Sequence, residues 1–483
     1  MKTDKNIDVL FVYTNINGFH LDVYNFGIGY LSSVLKKNGF TTKLAIARTK
    51  DDYRDVVELT AALKPKVVGF SSVSSQFIFV AELAQMIRNA CKDCVIVCGG
   101  VHPTIFPECL TGAPALDGVF IGESETAFLD FVSAVASGKD FKKTNNYCYR
   151  NGSGLIKNKL NPRITHLEEL PFPDREIYDY QSIIDDNDGV ATLMTNRGCP
   201  FDCTYCSNHA IARAYAETRN YTRYAKPEYV LDEIGELQSH YRFNKLWFED
   251  DLFILNKQWL NTFLEGFKKR FSYQFMCHIR PDVCTREILF QLKGAGCYKI
   301  FLAVESANDH IRNTVMKRNI SKEQLENCFR WAKEASIETL SVNIIGVPGE
   351  TEETIRETIA FNKKMNPTII GVNVYSPYLG TELGDFCRQN NLINNLAPDV
   401  FHDRRQSVLR LPTISNKKLM SYYERFHYLV YKGVDKEKER RFFLQLWGSR
   451  YRRLEKIKLF GFVFKKLKSV VKRLAQRFVK TAP

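Results

Sequence analysis

Short apolar runs alternate along the chain with longer stretches in which apolar residues return every third or fourth position. The runs at 9–12, 42–46, 67–71, 95–98 and 118–121 read as strands, and 29–37, 53–63, 77–89 and 125–136 between them read as helices. Such alternation predicts a parallel sheet with helices on both faces. Ligands of such sheets bind beyond the carboxyl ends of the strands. Those ends carry "YNFGIG", "GFSSVSS", "GGVHPT" and "IGESE", small residues mixed with polar ones, as the edge of a large ligand requires. A linker is expected over 141–188, where the two prolines of "LPFPDRE" cannot sit inside a helix or a central strand. A second alternating region follows, with strands at 190–194, 245–248, 274–278, 299–304, 339–345 and 368–374 and helices such as 227–240 and 351–364. Six strand–helix units are too few for a closed eight-unit barrel and predict a partial (β/α)6 one. The expected organisation is α/β throughout: a first domain over 1–140, the linker over 141–188, a barrel over 189–390 and a helical region with a basic tail over 391–483.

Composition narrows the class. A chain of 483 residues that is 45% hydrophobic and 13% aromatic can bury large cores. Its 13 cysteines are odd in number and unevenly spaced, which argues for a reducing cytosol over a secreted disulfide framework. The first eight residues are polar and charged, unlike a signal core, and no apolar run is long enough to span a membrane. The net charge of +14 is concentrated at one end: residues 432–483 hold 17 Lys and Arg against 4 Asp and Glu, and the rest is about neutral. In that tail Phe460, Phe464, Leu467, Val471, Leu474 and Phe478 form a helical stripe set among lysines and arginines. The pattern suits a helix lying in a membrane interface, apolar face down. A terminal helix docked on the protein's own core is the alternative. Nucleic acid suits the charge but not the phenylalanines.

The densest chemistry is "TNRGCPFDCTYCSN". Cys199, Cys203 and Cys206 stand at C-x3-C-x2-C on the loop after the first barrel strand, the end where barrels keep their active sites. Three thiolates on one tight loop can hold three irons of a 4Fe–4S cube and leave the fourth open. The alternative is a structural zinc, but zinc ligands come in two separated groups and no second pair follows. Cys91, Cys94 and Cys98 read as small buried hydrophobes, and Cys297 as packed rather than catalytic.

On these residues the chain resembles the radical S-adenosylmethionine (SAM) superfamily, and further segments recur in that family's order. Tyr205 sits within the cysteine motif. "FEDDLF" supplies Glu249, Asp250 and Asp251, matching the acidic segment that meets the SAM amino group. Arg280 in "CHIRPD" is a candidate for the SAM carboxylate, and Glu305 and Ser306 in "AVESAND" suit the ribose hydroxyls. In "NIIGVPGET", Gly346 and Pro348 begin the turn that would pass the adenine, and "YSPYLGTEL" resembles a Pro–Gly–Thr segment of the family. The resemblance implies that SAM takes the open iron and that one electron cleaves it to methionine and a 5′-deoxyadenosyl radical. Each segment alone would be an ordinary loop or cap: Thr351 is a fair N-cap, and Glu352 and Glu353 suit the positive end of a helix.

In the first domain, "LDVYNFGIGYLSSVLKKNGF" resembles the cobalamin-binding fold, whose signature is Asp-x-His-x-x-Gly. The same register gives Asp22, Tyr24 and Gly27, with tyrosine where the fold commonly has its cobalt-ligating histidine. A phenol is a poor ligand beside an imidazole, so cobalamin without histidine ligation is implied. Gly29, Ser71, Ser72, Gly99, Gly100, His102, Pro103, Gly122 and Glu123 are the other expected cobalamin contacts. A generic nucleotide-binding or flavodoxin-like domain is the alternative.

Both domains together resemble the cobalamin-dependent (B12-binding) radical SAM enzymes, class B methyltransferases in particular, over nearly residues 1–389. That implies a Rossmann-like cobalamin domain followed by a TIM-type partial barrel, with 4Fe–4S cluster, SAM and cobalamin as cofactors. It also implies a flavodoxin- or ferredoxin-type electron donor, and a small-molecule or lipid-like substrate methylated at an unactivated carbon. A cytoplasmic protein, peripheral on the membrane through its tail, is expected. An anaerobic oxidative cyclase of the same architecture is the second reading, and a non-catalytic cobalamin or redox sensor a third. A tRNA methylthiotransferase fits less well, since cysteines are absent before Cys91 and no obvious RNA-binding β domain follows Leu383.

Overall fold

The computed structural model describes residues 7–16, 24–152, 154–215, 222–394 and 404–455, the last seven of these by backbone alone. Asp22 and the stripe from Phe460 to Phe478 lie outside the described residues.

Strands β1 (Val9–Thr14), β2 (Thr42–Ala47), β3 (Val67–Ser71), β4 (Val95–Gly99) and β5 (Gly118–Phe120) form a parallel sheet in the order β2-β1-β3-β4-β5. The central strands are apolar nearly throughout, because helices cover both faces. The sheet continues into residues expected to be linker. Strands β6 (Tyr147–Asn151) and β7 (Gly154–Lys157) form a hairpin that pairs antiparallel with β5 at the sheet edge. Tyr147 packs where a side chain on Gly118 would stand, and the Asn146 amide donates to the carbonyls of Ile121 (2.8 Å) and Glu123 (3.0 Å).

The proline-rich segment ties the two domains together through adjacent residues. Asp174 accepts from Ser32 (2.6 Å) and pairs with Lys36 (2.7 Å), both on the helix Phe26–Lys37. Arg175 turns the other way, to Glu233 (2.7 Å) and the Thr192 carbonyl (3.0 Å) of the second domain.

That domain holds β8 (Val190–Leu193), β9 (Asn196–Arg197), β10 (Arg223–Tyr224), β11 (Lys245–Phe248), β12 (Gln274–Ile279), β13 (Cys297–Glu305), β14 (Glu338–Ile345) and β15 (Ile369–Val374). Six of these run parallel in the order β8-β11-β12-β13-β14-β15, a partial barrel, while β9 and β10 pair as a short antiparallel ribbon. One apolar core runs from Phe11, Phe120 and Phe128 of the first domain to Phe248, Phe263 and Leu302 of the second. After β15 the described residues hold three helices, Glu382–Gln389, Asn416–Tyr431 and Lys436–Glu455. The helix Asn416–Tyr431 packs on Glu352–Met365, and Lys436–Glu455 turns back along it. Among the described residues no helix is long and apolar enough to cross a membrane.

Cys91 and Cys94 are joined as a disulfide, which corrects their reading as merely packed thiols. The helix Phe77–Ala90 ends at Cys91, and the turn beyond it brings the two Cα atoms to 5.7 Å, within bridging range. Cys98 and Cys297 are free and buried.

Candidate active site

The cysteine loop leaves β8 and is held at its middle by three bonds of Thr204. Its N–H donates to the Met316 carbonyl (3.2 Å), its hydroxyl to the Val315 carbonyl (2.7 Å), and its carbonyl accepts from Leu383 (2.9 Å). Cys203 is buried, and Cys199 and Cys206 are half-buried beside it. Burial pushes the Cys199 thiol up to about 11 and the Cys206 thiol up to about 12, and the charges of Asp251 and of the neighbouring cysteines add to the rise. Thiols and a carboxylate crowded this way make a donor set whose charge a cation would balance, which fits a metal cluster. No three His, Cys, Asp or Glu side chains among the described residues converge on a point that could hold a single ion. An iron–sulfur cube instead takes one thiolate per iron, so its ligands need not converge.

A cavity of about 330 Å³ joins the two domains. Its first-domain wall is mostly glycine and apolar, with Gly27, Phe70, Gly99, Gly100 and Phe120, and also includes Ser71, Glu123 and Glu125. Gly198, Asn208, Glu249, Asp250 and Asp251 line the facing wall. A glycine-lined floor lets a flat, bulky ligand lie against the backbone, which fits a corrin. No histidine lines this cavity among the described residues.

The three acids are held differently. Asp250 is fixed by the Thr195 N–H (2.7 Å), the Thr195 hydroxyl (2.7 Å) and the Asn196 N–H (2.8 Å), yet burial pushes it up to about 7. Glu249 is pushed up to about 8 by burial and by the charge of Asp250. Asp251 opens onto the cavity while protein surrounds it; burial raises it and Asn208 moderates the rise. An incoming ammonium group would find acceptors there.

Several other expected residues stand elsewhere. Tyr24 is turned into the core: its hydroxyl donates to the Asp174 carbonyl (3.1 Å) and its ring packs on Phe26, Tyr178 and Tyr180. It does not line the cavity. Gly29 serves this packing, since a Cβ there would collide with the Tyr24 hydroxyl. Ser72 shapes the loops by bonding Gly99 and His102 through its backbone. His102 is buried against Phe77, held by Ser74 (3.0 Å) and lowered to about 4 by burial, and Pro103 is buried beside it; neither lines the cavity. Gly122 and Glu123 do line it, but the Glu123 carboxylate is taken by Arg223 and Arg197. Arg197 also pairs with Glu125 (2.6 Å), so two first-domain acids grip the β9–β10 ribbon. Tyr215 completes the clasp by accepting from the Glu123 N–H (2.7 Å).

Around the cysteines, Arg280 stacks on Phe201 (3.7 Å), pairs with Asp282 (2.8 Å) and points one nitrogen at the Cys203 sulfur (3.3 Å). Glu305 adopts a left-handed backbone (φ 61°) and shares one oxygen with Tyr205 (3.1 Å) and Arg318 (3.2 Å). Its other oxygen is buried without a hydrogen-bond partner. Ser306 faces away, toward Thr358 (3.4 Å), and is fully buried. Pro348 is buried and lines a separate cavity with Thr204 and Gly349. Arg318, Arg197, Arg223, Tyr215 and Glu350 were not anticipated; of these, Arg197 within "TNRGC" and Glu350 within "NIIGVPGET" lie in motifs.

Glu350 closes the turn after β14. Gly346 has φ 85°, and its N–H donates to the Glu350 carboxylate. Burial pushes Glu350 from its usual 4.5 up to about 8. The folded chain therefore keeps a proton that the unfolded chain releases, so this group's stabilising effect fades as pH rises from about 4.5 to 8. Glu350→Gln should flatten that part of the profile, as read from urea midpoints at each pH.

A model of the radical SAM superfamily matches residues 193–361, and a model of the B12 binding domain matches residues 14–132. An uncharacterised methyltransferase of Pyrococcus horikoshii is 26% identical over 370 residues, covering 76% of this chain and 79% of that one. The anaerobic magnesium-protoporphyrin IX monomethyl ester cyclase of Rubrivivax gelatinosus is 28% identical over 443 residues, covering 86% and 76%. The structure of the radical SAM methyltransferase TsrM from Kitasatospora setae, with cobalamin and a 4Fe–4S cluster bound, gives a TM-score of 0.65 at 17% identity, covering 87% of this chain and 85% of that one, a likeness of fold. Matched on its first sheet by one model and on its barrel by the other, the chain belongs to the B12-binding radical SAM enzymes.

Proposed function

We propose that this chain methylates an unactivated carbon of a small-molecule or lipid-like substrate. The observation that carries the reading is the single cavity walled on one side by the first sheet's glycines and on the other by Gly198, Asn208 and Glu249–Asp251. When bound, the cluster supplies the electron that cleaves SAM and the cobalamin supplies the methyl group. The chain's own residues bind and orient. Cys199, Cys203 and Cys206 would hold the cluster. Glu249 and Asp251 are the candidates for the SAM ammonium, and the open oxygen of Glu305 for a hydroxyl of its ribose. Tyr205 and Arg318 fix that carboxylate's other oxygen. Gly27, Ser71, Gly99 and Gly100 would lie along the cobalamin. An external flavodoxin- or ferredoxin-type donor would supply the electron.

With no imidazole on the cavity wall among the described residues, cobalamin should bind without a protein nitrogen on cobalt. The Co(II) paramagnetic resonance spectrum should lack nitrogen splitting, and Tyr24→Phe should leave it unchanged. Splitting that disappears in His102→Ala would overturn this.

The second reading, oxidative cyclisation, is favoured by the likeness to the cyclase over most of the chain. Product counting separates the two. Cobalamin-loaded protein, reduced anaerobically with SAM and the small-molecule extract of the source cells, should form S-adenosylhomocysteine alongside 5′-deoxyadenosine. Deoxyadenosine without S-adenosylhomocysteine would favour the cyclase, and neither product would favour a sensor.

A further inference from the structure

The helix Lys436–Glu455 carries apolar residues on two sides. On the inner side, Phe442 stacks on Tyr431 (5.6 Å) and His427 (4.9 Å) of the preceding helix. Facing outward, Leu444 and Trp447 are 58% and 47% exposed, and Phe443, whose ring also meets Tyr428 of the preceding helix (5.9 Å), is 50% exposed. With Arg440 they sit at i, i+3, i+4 and i+7, so they form one stripe. Val434, 43% exposed, stands at the turn just before. Nine large apolar side chains are this exposed among the described residues; four of them fall within these 14 positions and the others are scattered. A clustered apolar stripe marks a contact surface, whereas scattered single residues do not.

The charge around the stripe says what it meets. The helix holds seven Lys and Arg against three Asp and Glu, and residues 456–483 hold nine Lys and Arg and no acid. That following segment would bring like charge onto the helix if it folded back over the stripe, and a second copy would do the same. A surface that is anionic at its face and apolar just beneath matches both features at once, with aromatic residues at the boundary. We propose that the outer face of this helix is a docking surface for an anionic lipid bilayer, with Phe443, Leu444 and Trp447 entering the acyl boundary. The proposal is independent of the reaction catalysed.

Flotation of the full chain with phosphatidylcholine vesicles containing phosphatidylglycerol tests it. The chain should float with these vesicles, bind phosphatidylcholine alone far less, and be released in part by raised salt. Phe443→Ser/Leu444→Ser/Trp447→Ser removes no charge and no core residue, so it should fold normally by circular dichroism. Its partition onto anionic vesicles should fall by at least about tenfold. Quenching of tryptophan emission by brominated acyl chains should be lost in Trp447→Phe. Equal flotation of the triple variant, or no flotation of the unmodified chain, would overturn the proposal. So would a dimer in solution that the triple substitution dissociates, which would assign the stripe to a second copy.

Discussion

Replacing Cys199, Cys203 and Cys206 together by alanine is expected to abolish 5′-deoxyadenosine formation. Iron in the anaerobically reconstituted protein should fall from about four per chain to background. The substitutions remove no buried charge, and Thr204 keeps the loop anchored through its own backbone and hydroxyl, so the fold should survive by circular dichroism. The loss belongs to the cluster: with its ligands gone, SAM has no open iron to meet. Zinc bound to the unmodified protein in place of iron, or a triple variant that still cleaves SAM, would contradict the reading. A single Cys203→Ala should be nearly as severe, since Cys203 is the buried member of the three and has the Arg280 nitrogen against its sulfur.

The largest effect on stability should come from Arg175. This residue and Glu233 are 3% and 0% exposed at 2.7 Å, and the arginine lies against the rings of Tyr24 (5.3 Å) and Tyr180 (5.4 Å). Burial pushes Glu233 upward while Arg175 pulls it back. Arg175→Met removes the compensation and leaves an acid sealed in the core, at a cost of about 3–5 kcal/mol. Changing both residues, Arg175→Met with Glu233→Met, should recover most of that loss, because a well-packed apolar pair replaces a buried ion pair at little net cost. Urea denaturation of the two variants checks it. A single variant no less stable than the double would show that the pair is not what holds the proline-rich segment to the barrel.

The parallel strands of both sheets were legible because they are largely buried, so each is a short apolar run bounded by polar turns. The β6–β7 hairpin was missed for the opposite reason. It lies at an edge, its residues are half polar, and the proline-rich segment drew the boundary too early, although Asn151–Gly152 is a hairpin turn signal. The cysteine motif was legible because its spacing is local. Partners from distant segments were not: Arg318 reaches Tyr205 across 113 positions and Arg223 reaches Glu123 across 100, and no local pattern marks either. Tyr24 shows the limit of a register. It holds the expected place in the sequence, but its side chain turns to Asp174 in a segment whose position the motif does not specify. Ser306 fails in the same way, one residue past a glutamate that does face the site.

The most direct test of the account is the paramagnetic resonance spectrum of the reduced, reconstituted protein recorded before and after adding SAM. The account predicts a 4Fe–4S signal that shifts when SAM is added, because its methionine end occupies the iron that Cys199, Cys203 and Cys206 leave open. A cluster signal indifferent to SAM, or reconstituted protein without an iron–sulfur signal, would contradict it.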